Sequence, residues 1–269
     1  MQQDRDEVVQ HYGSDEIVAR IDEALAKRGA DLAHLSPEML YPFDQLHGRQ
    51  LAATRDHVAR LAPTPAMHVL DVGSGVGGPA RYIAATTGAR VTGLDLTPQF
   101  VTAATELTAR CGLADRVDFV LGNAADMPFA DDSFDAALCL YVGMNIEDKP
   151  AVAAEVYRVL KPGGFLLWSQ AVAGQGFPRY PLPWATRPEA SFAGPEDGLL
   201  QALLGAGFTI VENEDETVLY PSPGGPPSPE GDASVNQLVM GDDFSERRRN
   251  FVASLAEGSL RSIAIKAQK

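Results

Sequence analysis

The chain has 269 residues, 45% of them hydrophobic, enough for one large α/β domain with additions. Its 22 Lys and Arg stand against 36 Asp and Glu, a formal net charge of −14. That balance argues against nucleic-acid or anionic-membrane binding, which need a basic face, and its plain meaning is solubility.

Residues 1–13 are polar, and Met1 to Gln10 is too charged for a signal peptide. Ser14 can cap a helix to about Arg28, with Ile17, Ile21 and Leu25 spaced on one face and Gly29 as its stop. Ser36-Pro37 opens a short helix that Pro42 is expected to break, leaving Phe43 to Gly48 as a loop. A further helix reaches Leu61, where Pro63 and Pro65 follow. Residues 1–62 therefore read as an N-terminal helical lid and substrate segment.

From Val69 the pattern alternates strand and helix. Val69 to Val72 suits a buried strand, Gly73, Gly75, Gly77 and Gly78 follow, and a helix carries Tyr82 and Ile83. Arg90 to Leu94 is a second strand ending in Asp95. After Pro98 a helix places Phe100, Ala104, Leu107 and Cys111 on one face. Strands are predicted at Arg116 to Leu121, Phe134 to Leu140 and Phe165 to Val172, with a helix marked by Val152, Val156 and Val159 before the last. Residues 173–195 form an insertion without periodicity. A helix over 195–205, a strand over 208–220, a proline-rich loop over 221–231, a helix over 245–255 and a strand over 260–266 complete the chain. The sum is an α/β fold: a doubly wound, mostly parallel seven-stranded sheet. No apolar run reaches the about 18 residues of a membrane helix. Cys111 and Cys139 have no spacing pattern, which suits a reducing cytoplasm.

Gly73, Gly75 and Gly78 satisfy G-x-G-x-x-G, and Asp95 stands where a ribose-binding acid belongs. That spacing alone fits a dinucleotide. Asp71, two residues before the first glycine, suits a cationic or amino-bearing ligand rather than pyrophosphate. Leu160-Lys161-Pro162-Gly163-Gly164 precedes the fifth strand, and the chain ends in strand-like segments. Over roughly residues 65–220 these features together resemble the class I S-adenosylmethionine (SAM)-dependent methyltransferases. The resemblance implies a Rossmann-like methyltransferase fold over 63–269, with SAM as cofactor and S-adenosylhomocysteine as product. Asp71, Gly73, Ser74 and Gly75 would face the methionyl part, and Asp95 the ribose hydroxyls. Leu96 and Met127 would sandwich the adenine. Asn123 replaces the acid often found in the family and can both accept from the adenine amino group and donate to a ring nitrogen. Ala124 and Leu140 complete the cofactor set.

Tyr141 to Asn145 follow the fourth strand, at the carboxyl edge where such sheets hold ligands. The segment is not the Asn/Asp-Pro-Pro-aromatic motif of nucleic-acid and glutamine amino-methyltransferases. Asp44-Gln45-Leu46-His47 and Met144 to Lys149 are similar to small-molecule members: sarcosine/dimethylglycine N-methyltransferases and ubiquinone/tocopherol-type methyltransferases. That likeness implies His47 and Tyr141 as the groups placing the acceptor, and Tyr12, Asn145, Tyr180 and Trp184 as its lining. Aromatic faces and acids suit an amine or amino-acid-like acceptor through cation–π contact. The apolar insertion equally suits C- or O-methylation of a quinone- or phenol-like ring, and the family likeness tips the reading to the amine, with the ring as the alternative. A nicotinamide-dependent dehydrogenase and a non-catalytic SAM binder are the other readings. The histidines show no metal-ligand spacing, so no metal is expected. The partners expected are a small-molecule acceptor, without nucleic acid or membrane, for a cytoplasmic monomer or homodimer.

Overall fold

The computed structural model describes residues 16–220, 234–241 and 243–269; Tyr12, the Ser14 cap and the 221–231 loop lie outside them. In chain order the elements begin α1 (Ile17–Lys27), α2 (Pro37–Asp44), α3 (Gln50–Leu61), β1 (His68–Val72), α4 (Gly78–Thr87), β2 (Arg90–Asp95), α5 (Pro98–Arg110) and β3 (Val117–Leu121). They continue β4 (Phe134–Leu140), α6 (Lys149–Val159), β5 (Leu160–Ala173), α7 (Glu196–Ala206), β6 (Thr209–Asp215), α8 (Ser234–Met240), α9 (Phe244–Ala256) and β7 (Leu260–Gln268). The seven strands take the order β3-β2-β1-β4-β5-β7-β6. β7 runs antiparallel to both β5 and β6. This is the mostly parallel, doubly wound sheet that the alternating pattern implies. Contacts divide the chain into two compact units, residues 1–124 with 233–242 and residues 125–232 with 243–269.

In the first unit the i, i+4, i+8 face of α1 is buried. Ile17, Ile21 and Leu25 join Leu40 and Phe43 of α2, Val76 of the glycine turn, and Phe100 and Leu107 of α5 in one apolar cluster. Each such side chain contributes about 1.5–3 kcal/mol on burial, so the N-terminal helices are held by the same core that supports the turn. α4 ends at Gly88, whose φ of 74° a side chain would resist and whose N–H returns to Ala84 O. Phe119 on β3 packs its ring against two glycines at once: a Cβ on Gly77 or on Gly93 would stand 2.5 Å from it.

In the second unit Asp148 caps α6 by accepting from Ala151 N at 3.0 Å. The Lys161 to Gly164 turn is a bulge within β5: Leu160 pairs with Phe134, and pairing resumes at Phe165 with Ala136. Trp184, Leu182 and Ala185 of the 173–195 insertion share a core with Met144, Phe251 and Leu255.

Three local expectations are corrected. Pro42 does not break its helix, which runs on to Asp44. In so short a helix the proline removes one hydrogen bond, to the carbonyl of exposed Glu38, while buried Leu40, Tyr41, Phe43 and Asp44 fix the turn. The sixth strand stops at Asp215, not Tyr220, because Asp215 Oδ1 accepts from Thr217 N at 2.9 Å and turns the chain into a 3₁₀ segment, Thr217–Leu219. Helix α8 has no counterpart in the sequence reading.

Candidate functional site

β1 delivers its last buried residues, Asp71 and Val72, into the turn Gly73-Ser74-Gly75-Val76-Gly77. Gly73, Gly75 and Gly77 have φ of 72°, 53° and 85°, the left-handed region in which glycine is favoured. Gly73 N and Ser74 N both donate to Leu94 O, at 2.7 and 3.1 Å, tying the turn to the end of β2. Asp95 completes the tie. Its Oδ2 accepts from Gly75 N at 2.8 Å and its Oδ1 from Thr97 N at 2.9 Å. Burial raises the Asp95 pKa, and the Thr97 and Gly75 hydrogen bonds oppose the rise. Gly122 N donates to Asp95 O at 2.9 Å, which sets half-buried Asn123 and Ala124 beside this end of β2. Leu96 is half-buried on the same edge.

Asp71 is 2% exposed, and its Oδ2 has no hydrogen-bond partner among the described residues. Burial, then the charge of Asp95, pushes its pKa up to about 7, against an opposing hydrogen bond from the Ala80 backbone. A desolvated carboxylate oxygen without a donor is a costly arrangement that a cationic ligand would relieve. Ser74 Oγ is likewise buried and unpartnered among the described residues. Three glycines at positive φ and a buried carboxylate oxygen without a donor make up the candidate cradle, while Ser74 Oγ lies toward β2, 2.7 Å from where a Cβ on Gly93 would stand.

The segment after α2 closes on this cradle. A Cβ on Gly75 would lie 3.5 Å from Leu46 Cδ1. His47 is half-buried beside it, with Nε2 at 2.9 Å from Thr54 Oγ1 and Nδ1 at 3.1 Å from Gly48 O. Burial lowers its pKa to about 4, so the ring is neutral at physiological pH.

The remaining sequence-selected residues lie in the second unit. Leu140 is buried at the end of β4, and Met127 is buried with its N donating to Glu155 Oε2 at 2.7 Å. Tyr141 takes φ 57° and bonds through its hydroxyl to Tyr220 and, at 2.6 Å, to Ser262 Oγ. Such a conformation in a bulky residue costs about 1–3 kcal/mol and often marks a functional position. Tyr220 and Trp184 both pack edge-on against Phe251, with centroids 5.5 and 5.4 Å apart. Trp184 is buried and donates to Ser191 Oγ at 2.9 Å. Tyr180 packs against the same core, and Asn145 is half-buried in the 3₁₀ turn Gly143–Asn145. Sequence reasoning missed Tyr220 and Ser262. Both lay in segments read as strand, where a hydroxyl has no periodicity to betray it. No group of His, Cys, Asp or Glu among the described residues is placed to hold a metal ion.

The sheet order and the glycine turn are those of the Rossmann-like methyltransferase fold. The family described as "Methyltransferase domain" matches residues 70–168. Among curated proteins the chain is similar to sterol methyltransferase-like 1 of Botryococcus braunii, 44% identical over 113 residues, which are 42% of this chain and 29% of that protein. The chain spans about a third or less of the first curated relatives it matches. Among solved structures it resembles geranyl diphosphate C-methyltransferase of Streptomyces coelicolor A3(2), TM-score 0.65 at 19% identity over 81% of this chain and 78% of that one. It also resembles a putative sarcosine dimethylglycine methyltransferase of Galdieria sulphuraria, TM-score 0.65 at 17% identity over 93% and 98%. Among the described residues no helix is long and apolar enough to cross a membrane.

Proposed function

We propose that the protein is a methyltransferase that transfers the methyl group of SAM to a small apolar molecule, with carbon as the first-choice acceptor atom. The observation that carries the cofactor assignment is the buried, unpartnered Asp71 Oδ2 beside the glycine turn. Asp71 would accept from the amino group of the methionyl part, and Gly73, Ser74 and Gly75 would line it. Asp95 would take the ribose hydroxyls, and Leu96, Asn123, Ala124, Met127 and Leu140 would surround the adenine. SAM, when bound, supplies a methyl group open to in-line displacement. The protein's share is to place the acceptor and exclude water. Residues 16–61 would act as a cover, with Leu46 at its inner edge.

Tyr141, Tyr220 and Ser262 offer neutral hydroxyls among aromatic side chains. Burial raises both phenol pKa values, and the charge of buried Glu216 adds to the rise. That environment opposes a phosphate or carboxylate head group and favours a neutral, largely apolar acceptor. The C-methyltransferase names of the relatives support the same choice. An amine acceptor is the second reading, supported by the Galdieria likeness and by a buried carboxylate that suits a cation. Neutral His47 and Tyr141 would position the acceptor rather than remove a proton. Asn145, Tyr180 and Trp184 would line its site, in a cytoplasmic monomer or homodimer that uses no metal or nucleic acid.

Methyl-labelled SAM incubated with alkenes, phenols and amines, with the product traced by mass spectrometry, tests the proposal. Label in an apolar carbon acceptor is the expected result. Label only in amines overturns the acceptor choice. SAM binding with no S-adenosylhomocysteine formed from any acceptor overturns the enzyme reading.

A further inference from the structure

Arg81 is fully buried on α4, one turn past the glycines, and is not part of the cradle's lining. Its Nη2 donates to Val76 O at 2.7 Å, inside the glycine turn, and to Asp44 Oδ2 at 2.9 Å, on the last residue of α2. Its Nη1 donates to Thr108 Oγ1 at 3.0 Å, on α5. One planar guanidinium thus holds three elements, a reach that a lysine point charge cannot copy. The Asp44 side of the contact is continued by a hydrogen-bonded run. Asp44 Oδ1 accepts from Gln45 Nε2 at 2.7 Å, and Gln45 Oε1 accepts from Thr54 Oγ1 at 2.5 Å. The main chain is locked as well, because a Cβ on Gly78 would stand 2.2 Å from Asp44 O. With Leu46 over Gly75, the 44–46 segment meets the turn region at three places: Gly75, Val76 through Arg81, and Gly78.

A fully buried ion pair is weak evidence for stability, since desolvation offsets its attraction. Its recorded use is to fix one arrangement among several. Here the arrangement fixed is the orientation of the Val76 carbonyl, between the two glycines whose left-handed backbone shapes the cradle. We propose that Arg81 and Asp44 form a clasp that couples the 44–46 segment to the SAM-binding turn, so that both act as positioning residues for the cofactor without touching it. The proposal rests on the reading of that turn as the SAM cradle.

The test replaces the pair by apolar side chains, Arg81→Met with Asp44→Leu, which removes both buried charges together. SAM affinity is measured by calorimetric titration and ligand-free stability by thermal unfolding. The expected result is a folded double variant whose SAM dissociation constant rises by about tenfold, within the range of coupling through residues that do not touch a ligand. A second measurement uses the wild type alone: S-adenosylhomocysteine should slow amide hydrogen exchange at residues 44–46 as well as at 73–77. A folded double variant that binds SAM within about twofold of wild type overturns the clasp. If the double variant does not fold, exchange decides, and unchanged exchange at 44–46 overturns the clasp. Wild-type protein that binds no SAM overturns the cradle reading and the clasp together, whereas wild-type binding with an indifferent double variant removes the clasp alone.

Discussion

Asp71→Asn isolates the central claim that a carboxylate is stored, desolvated, for a cationic ligand. Folding moves this carboxyl from an ordinary pKa of 3.8 up to about 7. The native protein therefore holds the proton more tightly than the unfolded chain does. The associated stability is complete below about pH 4 and is lost as pH rises through about 7. At about 1.36 kcal/mol per pH unit of displacement, the loss above neutrality is at most about 4 kcal/mol. Asn keeps the shape and abolishes the titration. Ligand-free Asp71→Asn should be more stable than wild type at pH 8, with the gap closing toward pH 4. SAM should narrow this gap at pH 8 by about 1.5–3 kcal/mol, because the variant loses a charge-assisted hydrogen bond of that size, or one to two decades of affinity. In the wild type, SAM affinity should weaken as pH falls below about 7 and Asp71 takes up its proton. Chemical denaturation across pH, with and without SAM, measures all of this. An Asn variant that is no more stable than wild type at pH 8, or that binds SAM equally well, would refute the reasoning.

Gly75→Arg combines a left-handed φ of 53° with a side chain in the cradle, and should abolish SAM binding while circular dichroism still reports a folded protein. Asp95→Ala removes the acceptor of Gly75 N and Thr97 N and the proposed ribose contact; calorimetry should show a loss of one to two decades, about 1.5–3 kcal/mol. Tyr141→Phe and Tyr220→Phe each dissolve the shared hydroxyl contact and should lower kcat/KM for the acceptor by about tenfold, with the SAM dissociation constant changed less than about twofold. His47→Ala should leave the pH profile of turnover unaltered near neutrality, because the native ring titrates only near about 4; a profile that loses a limb near pH 6–7, close to the free imidazole value of about 6.5, would make His47 a proton carrier.

The cradle was legible because glycine at positive φ and an acid twenty residues on are local signals, and Asp71 departs from what pyrophosphate would accept. The strands of the sheet were legible as well: runs such as Phe134 to Leu140 are apolar but for Asp135. What escaped were pairings that join distant stretches. Arg81 looks like one more helical arginine until Asp44, 37 residues earlier, is seen against it. Tyr220 meets Tyr141 across 79 residues. The phrase Asp44-Gln45-Leu46-His47 was noticed only as a likeness, yet each of its residues has a separate contact: with Arg81, with Thr54, over Gly75 and again with Thr54. Pro42 misled because propensity treats a proline as a stop, whereas a short helix anchored by its own buried face tolerates one missing bond.

The ring of Phe119 fills the side-chain space of both Gly77 and Gly93, one in the cofactor turn and one in the middle of β2. These three positions consequently form a single unit of variation. A methyl group at either glycine has no room beside the ring, and a second neighbour stands in each space, Arg81 Nη1 at 2.8 Å for Gly77 and Ser74 Oγ at 2.7 Å for Gly93; a smaller residue at 119 opens two voids rather than one. In a mutational library, Gly93→Ala should survive only on a background such as Phe119→Leu with Ser74→Ala, since Ser74 Oγ would also stand 2.7 Å from the new Cβ. Descendants of this chain that retool the cofactor turn would then change at position 119 first.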